Sequence, residues 1–273
     1  MMNRRDIFGA VALGAGLGIA SQVAAQAPAA ADIPANNSRL AKILERGVLR
    51  VGTTGDFNPM SFRDTATNSY QGYDIEAVTA LAADLKVEIE WVSAEWATIT
   101  TGIAADRFDI FSGASVSVAR ARVAAFSIPY TEAGTVPLGL ASAADRFNSW
   151  AAINEAGVRV AVSQGTVFED QARQHFPNTT IQAVQSPATG FQEVLSGRAD
   201  VTITSNVEAA TLVAKYPELK VLVPSAEQRN KRPFAYVVDQ NDPVWLNFIN
   251  TWVSLRRIEG FYAALDAKWL GKA

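Results

Sequence analysis

Cysteine is absent from this 273-residue sequence and histidine occurs once. A disulfide framework and thiolate chemistry are therefore excluded. A zinc site, which draws mainly on Cys and His, is disfavoured, and no metal or cofactor is expected. Charge of one sign is lacking too. The 24 Lys and Arg residues nearly balance 27 Asp and Glu, and no long basic run occurs. Nucleic acid is thus a poor partner. The apolar stretch at residues 9–20 is too short to cross a bilayer as a stable helix. What is present is a 49% apolar composition, enough for a sizeable core and against disorder. The length suits two lobes better than one small domain.

The first residues read as an address. Arg4 and Arg5 precede the Gly/Ala-rich apolar run, and Ala25-Gln26-Ala27 or Val23-Ala24-Ala25 offers a small-residue cleavage site. The pattern predicts a secretory signal of twin-arginine type over residues 1–27, with a Sec signal carrying incidental arginines as the other reading. Either exports the mature protein to the periplasm. Residues 28–38 are expected to form a flexible lead-in.

Beyond residue 39, strand and helix patterns alternate. Residues 49–54 predict a strand that ends in a turn at 55–59, and residues 65–72 read as a polar loop. A helical spacing over 74–85 precedes a strand at 87–92, a helix at 96–105 and a third strand opened by Phe108. Strand–helix–strand succession implies a parallel α/β sheet, whose ligands bind beyond the carboxyl ends of the strands. The scheme repeats with strands at 159–162, 180–184 and 200–204. Asp106-Arg107-Phe108-Asp109 before one strand is echoed by Gly197-Arg198-Ala199-Asp200 before another. The apolar runs 135–141 and 234–238 are expected to be the crossings between lobes. The amphipathic tail, 243–270, is expected to pack as helix on the first lobe.

Residues 108–130, FDIFSGASVSVARARVAAFSIPY, organise the chain. A short buried strand breaks into Ser112-Gly113-Ala114-Ser115, leaving backbone N–H groups and hydroxyls accessible. Arg120 follows, and its planar fork suits both oxygens of a carboxylate. The plain alternative is a strand–loop–helix with solvated arginines.

This stretch resembles the solute-binding proteins of family 3, in the order strand, S-G-x-S, spaced Arg, F-S-x-P-Y. The likeness runs from about residue 49 to 269, and within the family it is nearest to the cyclohexadienyl dehydratases. The resemblance implies a type II periplasmic binding fold. Each of its two lobes is a mostly parallel sheet flanked by helices, and two hinge crossings join them. Lobe 1 is expected at residues 39–137 and 233–273, and lobe 2 at 138–232. Arg120 occupies the family position that holds the ligand carboxylate, with Ser115 and Gly113 beside it. Arg122 has no counterpart role. Ser163, Gly165 and Thr166 resemble the second-lobe clamp. Where the dehydratase has an active-site Asn, an ungapped match places Ser163 and a gapped one Val162. Amino-acid receptors carry Asp at the Ser205 position, where it meets the ligand ammonium, and Ser cannot supply that charge.

Asp56 lies in Gly52-Thr53-Thr54-Gly55-Asp56, matched residue for residue in the dehydratases, although Asp is also an ordinary turn residue. Glu208 matches the dehydratase general acid, and equally suits the first turn of a helix. Phe57 and Trp96 are placed to sandwich an apolar ring or to pack in the core. His175 has no nucleophile or acid at triad spacing and reads as a packing residue. Two functions follow from the resemblance. One is a receptor for a small carboxylate lacking an ammonium, which works with the membrane subunits of an ABC transporter. The other is a periplasmic dehydratase acting on prephenate or arogenate.

Overall fold

The computed structural model describes residues 37–271. The signal sequence, its cleavage sites and most of the lead-in lie outside the described residues.

One sheet runs through the molecule. In spatial order its main strands are Thr180–Val184, Arg159–Ser163, Val201–Ser205, Thr131–Leu140, Arg229–Val238, Ile110–Ser115, Val48–Thr53 and Glu88–Ser93. The three strands at either end are mutually parallel, as alternating strands and helices require. The two 10-residue strands at the centre run antiparallel to each other and to their outer neighbours. Their shared ladder pairs Thr131 with Phe234 and Thr135 with Arg229. Beyond it, Thr135 to Gly139 pairs with the Val201–Ser205 strand, and Phe234 to Val237 with Ile110–Ser115. The crossing therefore lies at residues 131–135 and 229–234, earlier in each run than the apolar pattern at 135–141 and 234–238 suggested. Apolar character marks where these strands are already buried against a lobe. The polar residues of the crossing, Arg229, Asn230, Lys231 and Arg232, gave no strand signal.

The charged echo has a structural cause. Asp109 accepts from the backbone N–H of Arg50 at 2.8 Å and from its Nη2 at 2.9 Å, while Arg50 Nη1 reaches the Asp106 carbonyl at 2.8 Å. Asp200 accepts from the backbone N–H of Arg159 at 2.9 Å and from its Nη2 at 2.8 Å. Arg159 Nη1 reaches the Gly197 carbonyl at 2.9 Å. Each half thus starts a central strand with the same Asp-to-Arg clamp. It satisfies an edge N–H and fixes the register of two parallel strands.

The polar loop expected at 65–72 differs from what forms. Asp56–Phe57, Ser61–Asp64 and Ser69–Gln71 make a small antiparallel sheet. Pairing with Ser61 and Phe62 holds Asp56 and Phe57 in place, which a free turn would not do. The tail forms two helices, Pro243–Ile258 and Phe261–Leu270. They bury Trp245, Trp252 and Tyr262 against Val51, Tyr73 and Ile110. At the centre of that core the Tyr130 hydroxyl donates to Asp74 at 2.6 Å, and the Tyr130 ring lies 4.7 Å from Tyr236 and 5.7 Å from Tyr262. Such ring pairs contribute about 0.5–1.5 kcal/mol each beyond their buried area.

Candidate functional site

The carboxyl ends of the parallel strands converge on a cavity with about 580 Å³ of non-atom space, open solvent at its mouth included. Ser115, Ser163 and Thr204 line it from strand ends, and Asp56, Phe57, Trp96, Arg120, Thr166 and Glu208 from the elements that follow. Contacts across the mouth hold the two rims together. Gln185 Nε2 donates to both oxygens of Glu95 at 3.1 Å, the Ser186 hydroxyl donates to Asp56, and Arg120 Nη2 donates to the Gly165 carbonyl at 3.1 Å.

Arg120 sits in the short helix Val118–Ala121, capped by the Ser117 hydroxyl, which accepts from the Arg120 N–H at 3.3 Å. Its guanidinium donates to the carbonyls of Ser115 and Gly165, both at 3.1 Å, and lies 5.9 Å from the Trp96 ring. Among the described residues it forms no ion pair. Burial pulls its pKa down to about 10, opposed by Asp170 and aided by the nearby cation Arg232. The group stays charged at neutral pH. Arg122, two residues on, is exposed.

Asp56 is held from both sides. Trp96 Nε1 donates to Oδ1 at 2.9 Å, and Ser186 donates to the other oxygen. Phe57 and Trp96 meet edge to face, with centroids 5.9 Å apart and planes at 85°. They form a wall continuous with Phe111 and Phe234. Perpendicular rings in contact leave no slot between them, so the expected sandwich gives way to a one-sided apolar wall.

Glu208 enters from the first turn of the helix Asn206–Lys215, whose cap is the Ser205 hydroxyl, accepting from the Glu208 N–H at 3.1 Å. The Thr204 hydroxyl donates to its carboxyl group. Loss of hydration pushes its pKa up to about 8, opposed by the Thr204 bond and aided by the Asp56 charge. The helix terminus, which favours the ionised form, is outweighed. At pH 7 the group is mostly a neutral carboxylic acid, hence a donor.

Other expected residues have different duties. Gly113 does not line the cavity. A Cβ there would come within 2.0 Å of the Tyr130 hydroxyl and 2.6 Å of Asp74, so its bareness admits that buried pair. Gly165 has φ +74, and a Cβ would stand 2.4 Å from Ala97 of the opposite rim, so glycine permits closure. The Thr166 hydroxyl donates to the Ser163 carbonyl at 2.7 Å and accepts from the Glu169 N–H, capping the helix Val167–His175. Ser205 is buried and faces a smaller cavity beside the main one. His175 lies off the cavity, 2.9 Å from Asn230 and against Trp150. Thr204, Ser186 and Thr189 escaped sequence reasoning. The sign available for Thr202 and Thr204 was alternation, two hydroxyls flanking Ile203 on one face of a short strand.

Three comparisons bear on this arrangement. The family model for bacterial extracellular solute-binding proteins, family 3, matches residues 49–272. A cyclohexadienyl dehydratase of Pseudomonas aeruginosa is 34% identical over 248 residues, 89% of this chain and 90% of that protein. An L-cystine-binding protein of Escherichia coli K12 is 26% identical over 244 residues, 87% of this chain and 88% of that one. The crystal structure of an ancestral amino acid-binding protein, described as a precursor of cyclohexadienyl dehydratase, superposes with a TM-score of 0.79. It is 35% identical and covers 85% of this chain and all of that one. With the paired parallel triplets, the two crossing strands and the cleft between them, these likenesses place the chain among the bacterial extracellular solute-binding proteins of family 3, on the two-lobed type II periplasmic binding fold.

Proposed function

We propose that this chain is a periplasmic receptor for a small carboxylic acid that carries no ammonium group. It delivers that acid to the membrane subunits of an ABC transporter. The observation that carries the reading is Arg120, a charged guanidinium on the cavity wall that donates to carbonyls and forms no ion pair among the described residues. A ligand carboxylate supplies the missing counterion. The acids that line the main cavity are Asp56 and Glu208. Asp56 is engaged by Trp96 and Ser186, and Glu208 is mostly neutral at pH 7, so an α-ammonium near Arg120 finds poor compensation. Phe57 and Trp96 supply the apolar wall for the ligand body. The two lobes close on the ligand by bending at the two crossings. A twin-arginine signal over residues 1–27 exports the precursor.

The test is a thermal-shift screen of carboxylic acids, prephenate included, against the protein and Arg120→Ala. A ligand at 100 times its Kd stabilises by about 2.7 kcal/mol. Absence of any shift in the unmodified protein, or an equal shift in Arg120→Ala, would refute the reading.

A second reading is favoured by Glu208. A neutral carboxylic acid facing the cavity beside Asp56 is equipped to protonate a leaving hydroxyl, as a prephenate dehydratase must. In that reaction the ring carboxylate departs as carbon dioxide. Its bonding electrons enter the ring, and the hydroxyl leaves as water with the proton of Glu208. The Glu208 carboxylate then recovers a proton from solvent. Arg120 holds a substrate carboxylate, and Asp56 orients the hydroxyl. Phenylpyruvate absorbance with Glu208→Gln as the blank decides it, since equal rates leave the receptor alone.

A further inference from the structure

The two strands that cross between the lobes are held differently. Along Thr131–Leu140 the second lobe takes fixed polar grips. The Gly134 N–H donates to the Asn206 side chain at 3.0 Å, and the Thr135 hydroxyl donates to Gln171 at 2.8 Å. Neither pair titrates. Along Arg229–Val238 the ladder is irregular. Its register shifts between the Arg229–Thr135 and Arg232–Ala133 pairs, the mark of a bulge. Within the bulge Asn230 has φ +49, in the left-handed region that asparagine tolerates better than most residues, though at some cost. The tie at this weak point is His175, at the end of the helix Val167–His175, whose Nε2 lies 2.9 Å from Asn230 Nδ2. It is the single histidine of the chain. An amide nitrogen carries only protons. The pair is therefore a hydrogen bond when Nε2 keeps its lone pair, with the ring neutral and its proton on Nδ1.

We propose that His175 is an acid-sensitive pin of the hinge. As a neutral ring it ties the second lobe to the bulge of the crossing strand. As a cation it lets go, and the cleft opens more readily. The surroundings oppose the cation. The Arg229 guanidinium lies 4.6 Å from the centre of the Trp150 ring, and the same ring meets His175 at 6.1 Å. Burial and the Arg229 charge hold His175 below its ordinary value of 6.5. The helix end favours the cation and is outweighed. Other charges on the neighbouring elements are engaged elsewhere or absent. Arg173 pairs with Glu169 at 2.8 Å, Lys231 with Glu132 at 3.2 Å, Asp170 acts on Arg120, Glu227 is exposed, and the helix Trp150–Ile153 carries no charge. Rotating the Asn230 amide offers its oxygen to the cation and leaves the Arg229 repulsion in place. The tie is thus at full strength above pH 6.5 and weakens as pH falls through the lower value of the folded chain. A member of an extracellular family meets the pH of its surroundings. The pin acts on the hinge, so it serves a receptor or a dehydratase alike.

The test uses the mature protein without ligand, beside His175→Gln and His175→Ala. Gln keeps an acceptor for Asn230 at every pH, and Ala keeps none. The lone histidine gives one set of imidazole signals in NMR, whose midpoint is expected below 6.5. Hydrogen exchange over residues 228–234, corrected for the intrinsic pH dependence of amide exchange, is then followed at about pH 7.5 and about one unit below that midpoint. Protection in the unmodified protein is expected to fall by roughly threefold or more, and small-angle scattering to show a larger radius at the lower pH. His175→Gln should hold its protection at both values, and His175→Ala should be weakly protected at both. Melting at neutral pH reports the folding of each variant. A midpoint at or above 6.5 would overturn the pin. So would equal protection of the unmodified protein at the two values, or the same loss in a folded His175→Gln protein.

Discussion

Replacing Glu208 by Gln should stabilise the unliganded protein, and the gain should grow with pH. The carboxyl ordinarily titrates near 4.5 and is pushed up to about 8 in the folded chain. Below pH 4.5 both folded and unfolded forms hold the proton, so the group contributes nothing to pH dependence. Between about 4.5 and 8 the unfolded chain has released it while the folded chain retains it. Folding then takes up a proton, and stability falls as pH rises. At about 1.4 kcal/mol per tenfold change, the full gap bounds the loss at about 5 kcal/mol. The carboxyl borders a cavity that opens to solvent, and water reaching it screens the charge. We therefore expect about 2 kcal/mol between pH 5 and pH 8.5. Gln presents the same shape without a charge and keeps an oxygen to accept from Thr204, so it is exempt from the penalty. For a chain of this size, about 2 kcal/mol moves the melting midpoint by roughly 4–8 °C. Thermal or urea unfolding of both proteins across that range checks this, and the difference between them removes the contributions of other titrating groups such as His175. A stability difference that stays constant between pH 5 and pH 8.5 would refute the argument and show Glu208 to be ionised throughout.

Arg120→Ala should weaken acid binding by roughly 2–5 kcal/mol in calorimetry, as for truncating one member of a buried charge pair. Arg120→Lys should also bind poorly, and the exposed Arg122→Ala should change little. Gly165→Ala should lower affinity at least tenfold, because its Cβ meets Ala97 of the opposite rim. Small-angle scattering should then show a more open molecule in the presence of ligand, and a fully closed form would contradict the proposed contact. Ser205→Asp should shift preference toward L-amino acids, read by competition titration, and unchanged selectivity would count against the proposed ligand class. Export of the precursor should fail when Arg4 and Arg5 are both replaced by Lys, as judged by periplasmic fractionation.

The strands and helices of both halves were legible in the sequence because alternation and helical spacing are local properties, and local pairing rules then made the sheet parallel. Arg120, Asp56 and Glu208 were legible as candidates because residue type carries their chemistry, and strand ends are where such folds place ligands. The sequence could not place the crossing, since its polar residues at 229–232 look like a loop until they pair across the molecule with residues 131–135. It could not show that the bareness of Gly113 makes room for a Tyr130–Asp74 bond formed by residues 56 positions apart. The edge-to-face contact of Phe57 and Trp96 was not legible either, because ring orientation is set by packing, here between residues 39 positions apart. Arg232 had no local signal at all. It meets Ser205 at one small cavity, and proximity between distant segments is decided by tertiary packing alone. So too is the protonation of Glu208. The residue and its helix position are written in the chain, and they favour the charged form. Only the enclosing walls of the cavity remove enough water to reverse that preference.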